Sequence, residues 1–115
     1  MIDIPVERFE DLVATALDGI PEELGRLIEN VAVFVKEGDG NLNLLGLYEG
    51  IPLTRRENYG LGFGMPDRIT IYRQPILLRC ATEKDVVDMV RITVVHEIGH
   101  HFGIDDRRLH ELGYG

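Results

Sequence analysis

Apolar residues recur at three- and four-residue intervals between Pro5 and Ile20, where Phe9, Leu12, Val13, Ala16 and Leu17 share one face. This spacing predicts a first helix, with Pro5 in its first turn and Asp18-Gly19 as its stop. Pro21 restarts a short helical segment, PEELGRLIEN, whose first turn carries acids where the helix dipole favours them. VAVFVK, residues 31 to 36, is β-branched and apolar and is bounded by GDGN, so it reads as a buried strand followed by a turn. LLGLYEG, residues 44 to 50, and RITIYR, residues 68 to 73, read as further strands, the second alternating Ile69 and Ile71 with Thr70 and Tyr72. Between these two lies YGLGFGMP, whose glycines at 60, 62 and 64 match neither a phosphate loop nor a dinucleotide loop. It reads as a surface loop, with a flap over a cleft as the alternative.

The longest helical pattern begins at Thr82, in TEKDVVDMVRITVVHEIGHHFG. The Thr82 hydroxyl is placed to cap it, with Asp85 three residues on as a variant of the capping box, and Gly103 ends it. Lys84, Asp88 and Arg91 form one narrow polar stripe, and nearly everything else from Val86 to Ile98 is apolar, which predicts a helix wrapped by the domain on most sides. Helices and short strands in this order predict an α+β chain, and 115 residues suffice for one domain, residues 1–115, with one modest core.

Charge narrows the functional classes. Lys and Arg total 12 against 20 Asp and Glu, for a formal net charge of −8. Residues 1 to 60 hold 12 of the acids and 5 of the bases, and neither half looks like a phosphate-binding surface, so no nucleic-acid partner is expected. The longest apolar run, Val31 to Val35, is far short of the ~20 residues that cross a bilayer, and MIDIPVERFED lacks the features of a signal peptide. The expectation is a cytoplasmic protein with no membrane partner. Cys80 is the sole cysteine, so an intrachain disulfide is impossible and any metal must be held by His, Asp or Glu. Its apolar context makes Cys80 a buried structural thiol.

His96, Glu97 and His100 form the pattern H-E-x-x-H within the long helix. Residues four apart lie one above the other on a helix, so both imidazoles can reach one metal ion. Glu97 projects about 100° round from His96, near enough to touch water at the metal without ligating it. Two nitrogen ligands, a carboxylate base and open coordination suit Zn²⁺. The following residues sharpen the signal, because His96 to Asp106 matches the longer H-E-x-x-H-x-x-G-x-x-(H or D) pattern. A glycine three residues past the second histidine permits the sharp turn that brings a third ligand back.

With these residues the chain resembles the metzincin branch of the zincin metallopeptidases, in the variant whose third ligand is Asp. HEIGHHFGIDDRRLHELGY, preceded by RITIYRQPILLR, is similar to the small bacterial zincin-like metallopeptidases, the minimal zincins, over roughly residues 44 to 114. The resemblance implies a compact zincin-like domain, a small mixed sheet packed on a long active-site helix. It also implies Zn²⁺ as cofactor, His96, His100 and Asp106 as metal ligands, and Glu97 as the general base of peptide-bond hydrolysis. Fifteen residues follow His100 here, and the other candidates for third ligand among them are Asp105, His110 and Glu111. Asp105 reads as a turn or cap residue and His110 as a helix-surface residue or a partner of a ligand. His101 reads as a packing or hydrogen-bonded residue, and Met89 and Thr93, on the histidine stripe, as the floor of the site.

The expected partner is a peptide or protein substrate lying along an exposed strand edge, with LLGLY as the candidate. Metzincins place a methionine turn beneath the metal, whereas no methionine follows Met89 here. The alternative is therefore a weakly active or non-catalytic zinc protein, its metal structural or its cleft serving a binding partner.

Overall fold

A computed structural model describes residues 1–50 and 66–114 of the chain. Most of the glycine-rich stretch YGLGFGMP lies outside them.

Helix α1 spans Val6–Asp18 and buries Phe9, Leu12, Val13 and Ala16, the face that the periodicity marks. Pro5 stands one position earlier than expected, as the N-cap with extended backbone. The next segment divides into a single helical turn, α2, at Glu22–Gly25 and a 3₁₀ turn at Arg26–Ile28. Strand β1 is Val31–Lys36, β2 is Gly46–Glu49 and β3 is Asp67–Tyr72. They form a mixed sheet in the order β1-β3-β2, with β1 parallel to β3 and β2 antiparallel to it. Among the described strands, the most apolar one by sequence thus lies at the edge of the sheet and is only partly buried. Its side chains are only partly covered, and Phe34 is 48% exposed. Strand β3, flanked on both sides, has Ile69, Thr70, Ile71 and Tyr72 buried instead. An apolar run shows that a segment seeks cover, while neighbours in the sheet decide how much it receives.

Helix α3, Arg73–Leu78, follows β3 directly and has no counterpart among the expected elements. It is six residues long with Pro75 third, a position in the first turn where proline's missing N–H costs nothing. Its brevity leaves too few residues for a periodic signal. Helix α4, Glu83–Phe102, carries the motif and is the longest element. Thr82 accepts from the Asp85 N–H at 3.1 Å while the Asp85 carboxylate accepts from the Ala81 and Thr82 N–H groups at 2.9 and 3.1 Å, so the expected box is complete. Gly103, at φ 71°, closes the other end in the left-handed conformation. Helix α5, Asp106–Glu111, is capped by Asp105, which accepts from the Arg108 N–H at 2.8 Å.

The core lies where α1 and β3 meet α4, joining Phe9, Leu12 and Ala16 to Val86, Val90, Val94 and Ile98. Arg91, read from sequence as part of a narrow polar stripe, donates from Nε to the Ala16 carbonyl at 3.1 Å and ties α4 to the end of α1. Near the other end of α1, Arg8 reaches Glu83 at 2.7 Å. The wrapping of α4 is incomplete. Ile92 is 43% exposed and His100 is exposed, so the helix keeps one open stripe. Among the described residues no helix is long and apolar enough to cross a membrane.

The α4 cap makes stability sensitive to acid. The Ala81 and Thr82 amides hold the Asp85 carboxyl below its ordinary range, and the Arg8 guanidinium does the same for Glu83. A carboxyl depressed on folding contributes stability that is fully present above about pH 4 and is lost as pH falls through the folded value. Asp85→Asn should therefore start from a lower Tm at neutral pH but lose less on acidification to about pH 3 than the wild type. Thermal melts by circular dichroism check this, and parallel pH profiles would eliminate the cap as a source of acid sensitivity.

Candidate metal and peptide site

The site forms where α4 passes beneath the outer edge of β2. Tyr72 N–H donates to the Leu45 carbonyl at 2.9 Å, so in the antiparallel ladder the alternate residues Gly46 and Tyr48 turn their backbone groups outward. The Tyr48 N–H meets the Glu97 carboxylate, Oε1 accepting at 3.1 Å. The general base expected from the motif is thus held by an edge-strand amide 49 residues earlier in the chain. The contact depends on close approach at Gly46, where a Cβ atom would lie 2.7 Å from the Thr93 methyl and 3.2 Å from the Thr70 carbonyl oxygen. Thr93, Glu97 and His101 are spaced by four and run beneath Gly46 and Tyr48 in turn.

His101 stacks on Tyr48 with ring centroids 3.9 Å apart and planes 24° apart, and Phe102 meets both rings edge-on. The packing role read from its position is what the structure shows. The Tyr48 hydroxyl donates to Asp67 at 2.8 Å, joining β2 and β3 at their ends.

His96 and His100 lie beside Glu97 on the flank of α4. Their ring centroids are 6.3 Å apart at 77°. Two imidazoles on one tetrahedral zinc, with bonds of about 2.0–2.1 Å, have ring centroids roughly 5 Å apart, so the pair suits a single ion by donor type while its rings stand wider than that geometry. His100 Nδ1 is 3.9 Å from the Glu97 carboxylate, and its side chain is 69% exposed. His96 is half-buried, and its Nε2 lies 2.8 Å from the Tyr114 carbonyl oxygen. That carbonyl, like the Tyr48 amide, is a backbone group, and no residue-type pattern could have revealed either.

The third expected ligand is not gathered with this pair. Among the described residues no group of three His, Cys, Asp or Glu side chains is placed to hold a metal. Asp106 begins α5, exposed, and its side chain makes no hydrogen bond or ion pair with the described residues. What brings α5 alongside is Gly99, within the motif, where a Cβ would lie 3.0 Å from a Leu109 methyl carbon. Leu109 is buried in that space. Of the other candidates, Asp105 is the cap, His110 is exposed, and Glu111 pairs with Arg108 at 3.1 Å and Arg107 at 3.7 Å. Cys80 is buried, and burial pushes its thiol up, as befits a structural residue.

Met89 and Thr93 line a recess with His96 and Glu97, agreeing with their expected place at the floor. The Thr93 hydroxyl donates to the Met89 carbonyl at 2.8 Å, so it leaves no unpaired polar atom there.

The model of the zincin-like metallopeptidases matches residues 28–115, and the chain belongs to that family. A solved structure described as a conserved hypothetical protein from T. thermophilus is similar over 86% of this chain and 94% of that one, with 26% identity and a TM-score of 0.54. No match was found among curated proteins. The α+β architecture with a small mixed sheet is accordingly a fold that the chain shares with a solved neighbour.

Gly46 should be the most sensitive point of the strand-helix junction. Gly46→Val forces β2 away from Thr93 and should cost about 1–3 kcal/mol, in the range of overpacking. The Tyr48 amide proton should then lose protection in hydrogen-exchange NMR. Retained protection would show that the contact does not depend on the missing side chain.

Proposed function

We propose that the chain is a zinc-dependent metallopeptidase that acts on extended peptide segments, with His96, His100 and Asp106 as metal ligands and Glu97 as general base. The observation that carries this reading is the position of Glu97, whose carboxylate meets an outward-facing edge-strand amide on one side and lies beside the two-histidine pair on the other. Membership of the zincin-like metallopeptidases supports it. A bound zinc ion supplies a Lewis acid and lowers the pKa of water. Glu97 takes the water's proton and later hands it to the leaving amine. The Tyr48 N–H keeps one carboxylate oxygen oriented while the other remains toward His100.

Two observations favour the second reading, a structural or weakly active zinc protein. His96 Nε2 is engaged by the Tyr114 carbonyl, and Asp106 stands apart from the histidine pair.

Glu97→Gln separates the two readings. The amide oxygen of glutamine can still accept from Tyr48, so zinc content and Tm should hold while hydrolysis of a peptide mixture falls by at least about 100-fold, the lower range for a lost general base. Absence of any hydrolysis by zinc-loaded wild type would defeat the catalytic reading.

Asp106→Ala should lower zinc stoichiometry in elemental analysis. Undiminished tight binding would move the third ligand to His110 or Glu111.

A further inference from the structure

Strand β1 lies at the edge of the described sheet away from β2, with β3 between them. The Gln74 N–H donates to the Glu37 carbonyl at 2.9 Å, so residue 37 turns toward the chain that continues β3. By the alternation of a strand, Val33 and Val35 face β3 in the same way, while the main-chain groups of Ala32, Phe34 and Lys36 point outward. Among the described residues no strand pairs with those groups. Edge strands are commonly guarded by proline, a bulge or an inward charge, yet VAVFVK has only Lys36, at its end, and leaves Phe34 48% exposed. We propose that β1 pairs with β1 of a second copy of this chain, antiparallel about a two-fold axis at Phe34, so that two sheets join into one. This pairing is independent of the peptidase reading, whose general base is held at the opposite edge by β2.

Three features select this occupant and its register. Antiparallel strands exchange main-chain bonds between residues that both face the joint, so Ala32, Phe34 and Lys36 of one copy meet Lys36, Phe34 and Ala32 of the other. No other register uses every outward residue of the strand. It sets the two Phe34 rings opposite each other on one face, an aromatic cross-strand pair that covers their exposed surface. On the other face each Val33 meets a Val35. Both valines are half-buried and line a groove of about 410 Å³ with Val13 and Leu17 of α1, which the valines of the second copy would close. Charge acts in the same sense. Glu29 precedes the strand and Lys36 ends it, both exposed and neither in an ion pair among the described residues. Antiparallel pairing brings each Lys36 to the end of the joint where the other copy's Glu29 lies, whereas parallel pairing would set like charges together. The acid next to Lys36, Glu37, is already held by Arg73 at 2.7 Å.

The test follows the full chain by sedimentation velocity and by hydrogen-exchange NMR between about 10 μM and about 1 mM, the span of Kd suited to a small, transient interface. The mass should rise from 13.0 kDa toward twice that value across the range. The Ala32, Phe34 and Lys36 amides should gain protection with concentration, while those of Val33 and Val35, bonded to β3, stay protected throughout. Phe34→Lys removes the aromatic pair and sets like charges opposite each other at the axis, and it should weaken association at least about 10-fold with an unchanged circular-dichroism spectrum. Lys36→Glu alone should weaken it at least about 2-fold, and adding Glu29→Lys to that variant should restore it. A chain that stays monomeric at about 1 mM leaves the groove to another protein and overturns the pairing. So does association that Phe34→Lys leaves unchanged, or protection that rises at Val33 and Val35 instead. A double variant no tighter than Lys36→Glu overturns the antiparallel register.

Discussion

The site depends on how closely β2 can lie against α4. Gly46 presents no side chain where Thr93 projects its methyl, and that missing atom lets the strand descend until the Tyr48 amide reaches Glu97. A carboxylate half-buried beside an apolar recess needs a donor, because an unpaired polar group there costs on the order of 1–3 kcal/mol. The edge strand supplies it from a backbone group that would otherwise face solvent. One hydrogen bond thus orients the proposed base and ties β2 to α4.

The remainder of the molecule holds α4 still beneath that edge. The capping box at Thr82 and Asp85 secures its first turn, and Arg8 and Arg91 link it to the two ends of α1. At its far end Gly103 reverses the chain, and Gly99 admits Leu109 so that α5 packs alongside. The motif glycines therefore serve geometry as much as the histidines serve chemistry. The first lets a second helix approach and the other lets the chain turn toward it. Asp106 rides on this short helix, exposed and apart from the histidine pair.

Much of this was legible in advance for reasons that can be named. The α4 boundaries follow from a threonine cap and a left-handed glycine, both local effects of residue chemistry. The spacing of His96 and His100 is a property of any helix. The status of VAVFVK was not legible, since an apolar strand is equally apolar at the edge or in the middle of a sheet. Helix α3 was too short to show a period, and the tie from Arg91 to α1 was not legible because its partner, the Ala16 carbonyl, lies 75 positions away.

What the sequence determined by itself was therefore local: which segments are helical, where the motif helix starts and stops, and that two imidazoles and a carboxylate share one helix. Only the tertiary structure decided which backbone groups meet them. The Tyr48 amide and the Tyr114 carbonyl are main-chain groups that other residues at those positions would also carry, and they became part of the site through chain path alone. Side-chain identity is written in the sequence, whereas the position of a main-chain donor or acceptor is set by packing between segments distant along it.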